Sequence, residues 1–226
     1  MKLTIEEIKV GDYVKVKKGI KAPGFEYQLM DDWQGKIVDV QKKYKLVDIE
    51  WDLQTLLNTP EKYLRDLIKD GYDYVIMTLE ITELERANGR NNSIQLNEIK
   101  AKLETKLYWI ELFEEEEKSI KYGKLFQGIK LDNYSQLYQK WEKYLVKNLD
   151  FPIETKVVES ERGRIRNGDK IKLLDIEDYD DMYGVFGIGK FGREAVTFPI
   201  CNLEAIDKKS KNYELLRDYA IWFANM

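Results

Sequence analysis

Val10-Gly11-Asp12-Tyr13-Val14-Lys15-Val16 (residues 10–16) alternates apolar and polar side chains after a Gly-Asp turn. A period of two over this length is the pattern of a half-buried strand. Two further strand-like stretches follow at hairpin spacing, Trp33-Gln34-Gly35-Lys36-Ile37-Val38-Asp39-Val40 and Lys45-Leu46-Val47-Asp48-Ile49-Glu50-Trp51. Together they outline a small twisted barrel. Thr59-Pro60-Glu61 then offers an N-cap, a proline at the first helical position and an acid near the positive helix end, with Leu64, Leu67 and Ile68 as the apolar face. Gly71 ends that helix, and Met77 to Leu84 returns as a closing strand.

The same order recurs near the other end of the chain. VGDYVKV (10–16) pairs with NGDKIKL (167–173), WQGKIVDV (33–40) with MYGVFGIG (182–189), and TLEITELER (78–86) with CNLEAIDKK (201–209). The offset between paired landmarks shrinks along the chain, so the two units differ in loop length around one strand order. Between them the hydrophobic period lengthens to that of helices. Ile99, Leu103, Leu107 and Ile110 line one helix starting near Ser93, and Tyr134, Leu137, Tyr138, Trp141, Tyr144 and Leu145 line another after Asp132. The two stripes are expected to pack on each other. Glu114 to Glu117 falls near a helix C-terminal end, where the macrodipole disfavours it unless the helix runs on to Lys118 and Lys121.

The expected fold is therefore α+β: two small SH3-like β-barrels bridged by a helical pair, with a C-terminal helix. The domains are residues 1–88, a barrel with one inserted helix; 93–147, the helical pair; and 148–226, the second barrel, with a turn-rich linker over 88–92. The last helix starts near Asn212 and buries Leu216, Tyr219, Ala220 and Phe223. The C-terminal core is expected to hold Tyr183, Phe198, Trp222 and Phe223 with Leu173, Val185 and Leu203.

Composition prunes the chemistry. The 226 residues are 43% hydrophobic and 35% charged, the profile of a soluble globular protein, with a net charge of −4. No stretch approaches the roughly 20 apolar residues of a membrane span, and acidic residues interrupt the start where a signal peptide needs an apolar block. A cytoplasmic protein is expected, with no membrane partner. No segment has the basic surplus that phosphate-backbone binding requires, so no nucleic acid is expected either. Histidine is absent, which removes imidazole-assisted nucleophiles and histidine-ligated zinc. Cys201, the single cysteine, sits in an apolar context and reads as a packed thiol. Gly187-Ile188-Gly189-Lys190-Phe191-Gly192 lacks the following helix of a phosphate-binding loop. An enzyme is not expected.

The feature with most chemistry is Asp175-Ile176-Glu177-Asp178-Tyr179-Asp180-Asp181, five carboxylates in seven residues with no base between Leu173 and Gly189. Close carboxylates repel unless protonated, hydrated or neutralised, and calcium collects six to eight hard oxygens. The spacing departs from an EF-hand, because Met182 and Tyr183 occupy the places of an oxygen ligand and the turn glycine. Read from the residues alone, the segment is an acidic loop that is either solvated or metal-binding.

The C-terminal motifs add a resemblance. Phe151-Pro152-Ile153-Glu154, Gly168-Asp169, Asp180-Asp181-Met182-Tyr183-Gly184-Val185, Phe198-Pro199-Ile200-Cys201-Asn202-Leu203-Glu204 and Asp218-Tyr219-Ala220-Ile221-Trp222-Phe223-Ala224-Asn225 resemble, in order, the small calcium-binding (CcbP-like) protein family of cyanobacteria. The resemblance covers roughly the last 80 residues. It implies a non-EF-hand calcium-binding protein, a buffer or sensor, that takes Ca2+ through Asp175, Glu177, Asp178, Asp180 and Asp181. Asn202 stands where an aspartate is expected. Glu154, Glu159 and Glu161 are candidates for a second site, and pairing with Arg162, Arg164 and Arg166 is the alternative. The other function is a metal-free SH3-like interaction module, an adaptor or inhibitor. A protein partner would then meet the N-terminal barrel, where Tyr13, Phe25, Tyr27, Trp33 and Trp51 could line a peptide or modified-lysine groove or form core. Asp31-Asp32 beside Trp33 is too sparse for a second metal.

Overall fold

A computed structural model describes residues 3–90, 93–160 and 163–226. Asn91 and Asn92 of the expected linker, together with Glu161 and Arg162, lie outside the described residues. The chain divides into two units, Met1–Ile120 and Lys121–Met226.

The first unit contains β1 (Tyr13–Val16), a small hairpin of β2 (Lys21–Ala22) and β3 (Phe25–Leu29), then β4 (Gln34–Gln41) and β5 (Leu46–Trp51). After α1 (Leu53–Asn58) and α2 (Glu61–Lys69) come β6 (Ile76–Glu80), a 3-10 turn at Ile81–Glu83, and β7 (Leu84–Arg86). Alternation does what the sequence reading asks of it, since Val14 and Val16 on β1 and Val47, Ile49 and Trp51 on β5 are buried. One inserted helix was expected and two are present. At six residues α1 is too short for a helical period to register, and its start depends on Asp52, which accepts from the Thr55 N–H at 2.8 Å and is gripped by Arg90 at 2.7 Å. Gly71, at φ +72°, lets its own N–H and that of Tyr72 bond back to Ile68 and Leu67 beyond α2.

α3 (Ser93–Leu112) packs against α1 in the first unit. Leu103 joins this unit's core with Leu107 against it, while Lys106 Nζ donates to the Leu57 and Thr59 carbonyls at the end of α1. Desolvation lowers the Lys106 pKa, opposed by the charge of Glu61. Arg65 donates to the Ile110 and Phe113 carbonyls, closing the end of α3. The chain breaks there and restarts as α4 (Glu116–Leu125). Glu116 and Glu117 thus occupy the first turn of a helix, where the dipole favours them, rather than the last turn of the preceding one.

The second unit contains α5 (Tyr134–Asn148), β8 (Ile153–Val157), β9 (Lys170–Asp180), β10 (Gly184–Phe191), β11 (Glu194–Pro199), a 3-10 turn at Ile200–Asn202, β12 (Leu203–Ala205) and α6 (Lys211–Ala224). Ser210 caps α6 by accepting from the Tyr213 N–H. α5 contacts β9 and β10 of this unit's sheet, and its Trp141 meets the rings of Tyr219 and Trp222 on α6.

The two sheets have one topology. Their orders are β6-β5-β4-β1-β7 and β11-β10-β9-β8-β12, so in each the last strand returns beside the first after a 3-10 turn. Neither closes into a barrel. A three-residue last strand, fed by a turn that has just crossed from the far edge, pairs on one side only. The repeat is present, but its expected pairing is one strand out of step. By position in the sheet β1 matches β8, whereas the Gly-Asp turn precedes β1 in one unit and β9 in the other. The structural counterpart of Leu203 is Leu84. Ile81-Thr82-Glu83-Leu84-Glu85 and Ile200-Cys201-Asn202-Leu203-Glu204 hold the same turn, with both isoleucines and both leucines buried.

Candidate functional site

The acidic segment is not a loop. Residues 170–180 form β9, which pairs with β8 over residues 170–173 and with β10 from Lys172 to Asp180, and only Asp181-Met182-Tyr183 make the turn before Gly184. In an uninterrupted strand, Asp175 and Glu177 would share the face of Ile171 and Leu173 and be driven into the core. Two bulges against β10 prevent this. One lies between the pairs Ile188↔Asp175 and Gly189↔Leu173, the other between Val185↔Tyr179 and Gly187↔Ile176. Each inserts one residue and reverses the phase of the strand. Ile171, Leu173 and Ile176 are therefore buried, Tyr179 stacks on Tyr138 of α5 at 5.5 Å, and Asp175, Glu177, Asp178, Asp180 and Asp181 are all exposed.

Close packing behind the hairpin requires its glycines. A Cβ at Gly189 would meet Ile171 at 2.8 Å, and one at Gly187 would meet Leu173 and Ile200. The glycine run is thus a packing surface for β9. Gly184, at φ +73°, turns the chain under α6, where the Val185 N–H donates to the Tyr219 hydroxyl at 2.7 Å. Burial pushes the Tyr219 pKa far up, so the phenol is neutral and holds the root of the hairpin. The Tyr122 hydroxyl donates to buried Asp218 at 2.6 Å elsewhere in the same core.

The carboxylates make local bonds. Asp180 accepts from the Met182 and Tyr183 N–H groups at 2.8 and 3.1 Å, which folds the turn, and Glu177 accepts from Thr197 on β11 at 3.0 Å. Asp175 and Asp178 each accept from the next residue's N–H. Ion pairs of this unit lie elsewhere, among them Lys156–Glu204, Lys208–Glu204, Lys172–Glu154 and Arg164–Glu194. None of the five acids is ion-paired among the described residues, and no three acidic or cysteine groups converge there on one point. The donor chemistry suits a hard cation; the strand spreads the donors along its length.

Around this hairpin the other candidates fall into place. Glu154 pairs across the sheet with Lys172 at 3.3 Å, not with the arginines, and Arg164 takes Glu194. Glu159 is exposed, and Glu161 is outside the described residues. Asn202 gives its backbone carbonyl to the Val158 N–H. Cys201, expected as a packed thiol, is half-buried, and desolvation pushes its pKa up to about 12. Tyr183, expected in the core, is 46% exposed, while Trp222, Leu173, Val185 and Leu203 are buried. Asp132 and Asn133, ahead of α5, share an open cavity of about 840 Å³ with Tyr138, Asp181 and Met182. No local pattern marks Asp132, because only the fold brings it to the hairpin turn.

Comparison with known proteins meets this geometry at one place. A family model, Calci_bind_CcbP, described as calcium binding, matches residues 129–223. Over those residues the chain is similar to that family. The match begins just before α5 and ends in α6, so it takes in the whole second sheet and the acidic hairpin. Two solved CcbP-type structures are similar to this chain. The crystal structure of Anabaena CcbP is 20% identical, with a TM-score of 0.36, over 42% of this chain and 80% of that one. A calcium binding protein in the calcium-binding form is also 20% identical, with a TM-score of 0.36, over 45% of this chain and 86% of that one. No curated protein matches the chain. No helix among the described residues is long and apolar enough to cross a membrane.

Proposed function

We propose that this chain binds Ca2+ through the β9–β10 hairpin of its second unit, as a non-EF-hand buffer or sensor. The observation that carries the reading is the match of residues 129–223 to a calcium-binding family, which spans a hairpin with five exposed and unpaired carboxylates. Calcium takes six to eight oxygens at roughly 2.3 to 2.6 Å in flexible geometry. Asp180 and Asp181 at the turn, with Asp178, Glu177 and Asp175 along the strand, are the residues that would hold it. Backbone carbonyls of the turn and water would complete its shell. Binding would have to draw the donors together, and the turn can supply that movement, since Asp180 is tied only to two N–H groups within it. Magnesium, with its tighter octahedron and firmly held waters, suits such a strand less well.

The strand order and the 3-10 turn before the last strand support reading both units as open relatives of the SH3-like barrel. The chemistry requires no catalytic step.

Calorimetric titration of the full chain tests the function. Calcium should bind, magnesium at the same concentration should bind more weakly, and Asp180→Asn with Asp181→Asn should remove most of the response. The amide oxygen of the first substitution still accepts from Met182 and Tyr183, so the calcium-free fold is kept. Heat-silent titration combined with equal melting temperatures in chelator and millimolar calcium would overturn the reading in favour of a metal-free interaction protein.

A further inference from the structure

The first unit holds a ring cluster that calcium binding leaves unused. Phe25 and Tyr27 alternate onto one side of β3, and Tyr72 follows the glycine that ends α2. Phe25 meets Tyr27 at 6.1 Å and 87°, and Tyr72 at 6.2 Å and 84°. Beneath it, fully buried Tyr63 holds Phe25 edge-on at 5.0 Å. The half-buried Phe25 is thus a floor whose two neighbouring rings stand nearly perpendicular to it, and those rings, Tyr27 and Tyr72, are 50% and 60% exposed. Their burial does not explain them, because rings this open contribute little to a core.

The electrostatics around the cluster are those of a cation site. The Tyr27 hydroxyl donates to Asp66, and Asp70 lies one helical turn further along α2. After desolvation, the Asp66 hydrogen bond and the charges of Asp66 and Asp70 help to raise the Tyr27 pKa to about 12, so the ring stays a neutral, electron-rich phenol. An ammonium is already seated there, with Lys62 Nζ 4.6 Å from the centroid of Tyr27.

We propose that Phe25, Tyr27 and Tyr72, backed by Asp66 and Asp70, bind a quaternary or fully methylated ammonium group. Ring faces attract a cation but accept no directional hydrogen bond, so they favour an ammonium whose methyl groups replace its N–H donors and weaken its hydration. Lys62 is an internal competitor on a flexible stem at the surface of α2, and it moves aside for the ligand.

The test is a titration of the full chain in chelator, which keeps it independent of calcium, with tetramethylammonium as the probe and proton resonances as the readout. The N-methyl signal should move upfield and saturate, with the ring signals of Tyr27 and Tyr72 shifting in step. Tyr27→Leu and Tyr72→Leu should each weaken binding about fivefold, the effect of losing roughly 1 kcal/mol of cation–π attraction, without changing the melting temperature by more than a few degrees. Lys62→Met should strengthen it, whereas binding seen only in that variant would overturn the proposal for the native chain. A trimethyllysine peptide binding more tightly than choline assigns the group to a modified protein partner, and the reverse assigns it to a small molecule. No saturable shift with any probe on the Lys62→Met protein, or binding that survives loss of both tyrosines, would overturn the proposal.

Discussion

Trp222 sits where α6 meets α5 in the second unit. It is fully buried, with Trp141 and Tyr138 of α5 at 5.5 Å and Tyr219 of its own helix at 5.8 Å. Deleting so large a ring leaves a cavity its aromatic neighbours cannot close. Trp222→Ala should therefore lower stability by about 3 to 5 kcal/mol in denaturant titration. Cys201 gives a second prediction of opposite character. With its pKa near 12, the thiol stays protonated at pH 7 to 9, and the thiolate is the reactive form. Alkylation of the native protein in that range should be much slower than after denaturation, whereas comparable rates would mean the thiol is open to solvent.

At the scale of elements, β9 carries the most consequence per residue. Its two bulges keep carboxylates out of the core, and the small residues of β10 let the bulged strand lie close. Gly184 joins both tasks, since a side chain there would be strained at φ +73° and would meet Phe223 at 2.7 Å. Gly184→Ala should destabilise the protein by about 1 to 3 kcal/mol. It should also weaken calcium binding by displacing the turn that carries Asp180 and Asp181. In the first unit charged side chains close helix ends: Asp52 accepts from the start of α1, Lys106 and Arg65 donate to carbonyls at the ends of α1 and α3, and Arg90 pairs with the Asp52 carboxylate.

For the whole molecule, the proposed calcium binding predicts a link to folding. A ligand that binds only the folded state at roughly 100 times its dissociation constant adds about 2.7 kcal/mol of stability. In a chain of this size each kcal/mol raises the melting temperature by about 2 to 4 °C, so calcium should shift it by several degrees if unfolding is close to two-state. Asp180→Asn with Asp181→Asn should abolish most of that shift while leaving the melting temperature in chelator near the parent value.

The amino-acid pattern by itself determined the types of element and the chemistry on offer. Periods of two and of three and a half located the strands around Val14, Ile37 and Val47 and the helices around Leu103, Trp141 and Tyr219, because burial on one face leaves a local imprint. It also set out five acids without a local base, and a C-terminal string of motifs of calcium-binding type. What it left open was everything that depends on which surface an element meets. The apolar stripe of the helix carrying Leu103 could meet several surfaces, and only the tertiary structure places Leu103 in the core of the first unit. The repeat was legible, but its register was not: a Gly-Asp turn is a local signal that can precede any strand, whereas strand equivalence is a matter of neighbours in the sheet. For the same reason the acidic run read as a loop. A bulge is defined by two residues facing one on the partner strand, so the phase that exposes Asp175 and buries Ile176 is set by pairing with β10, and no periodicity within β9 alone contains it.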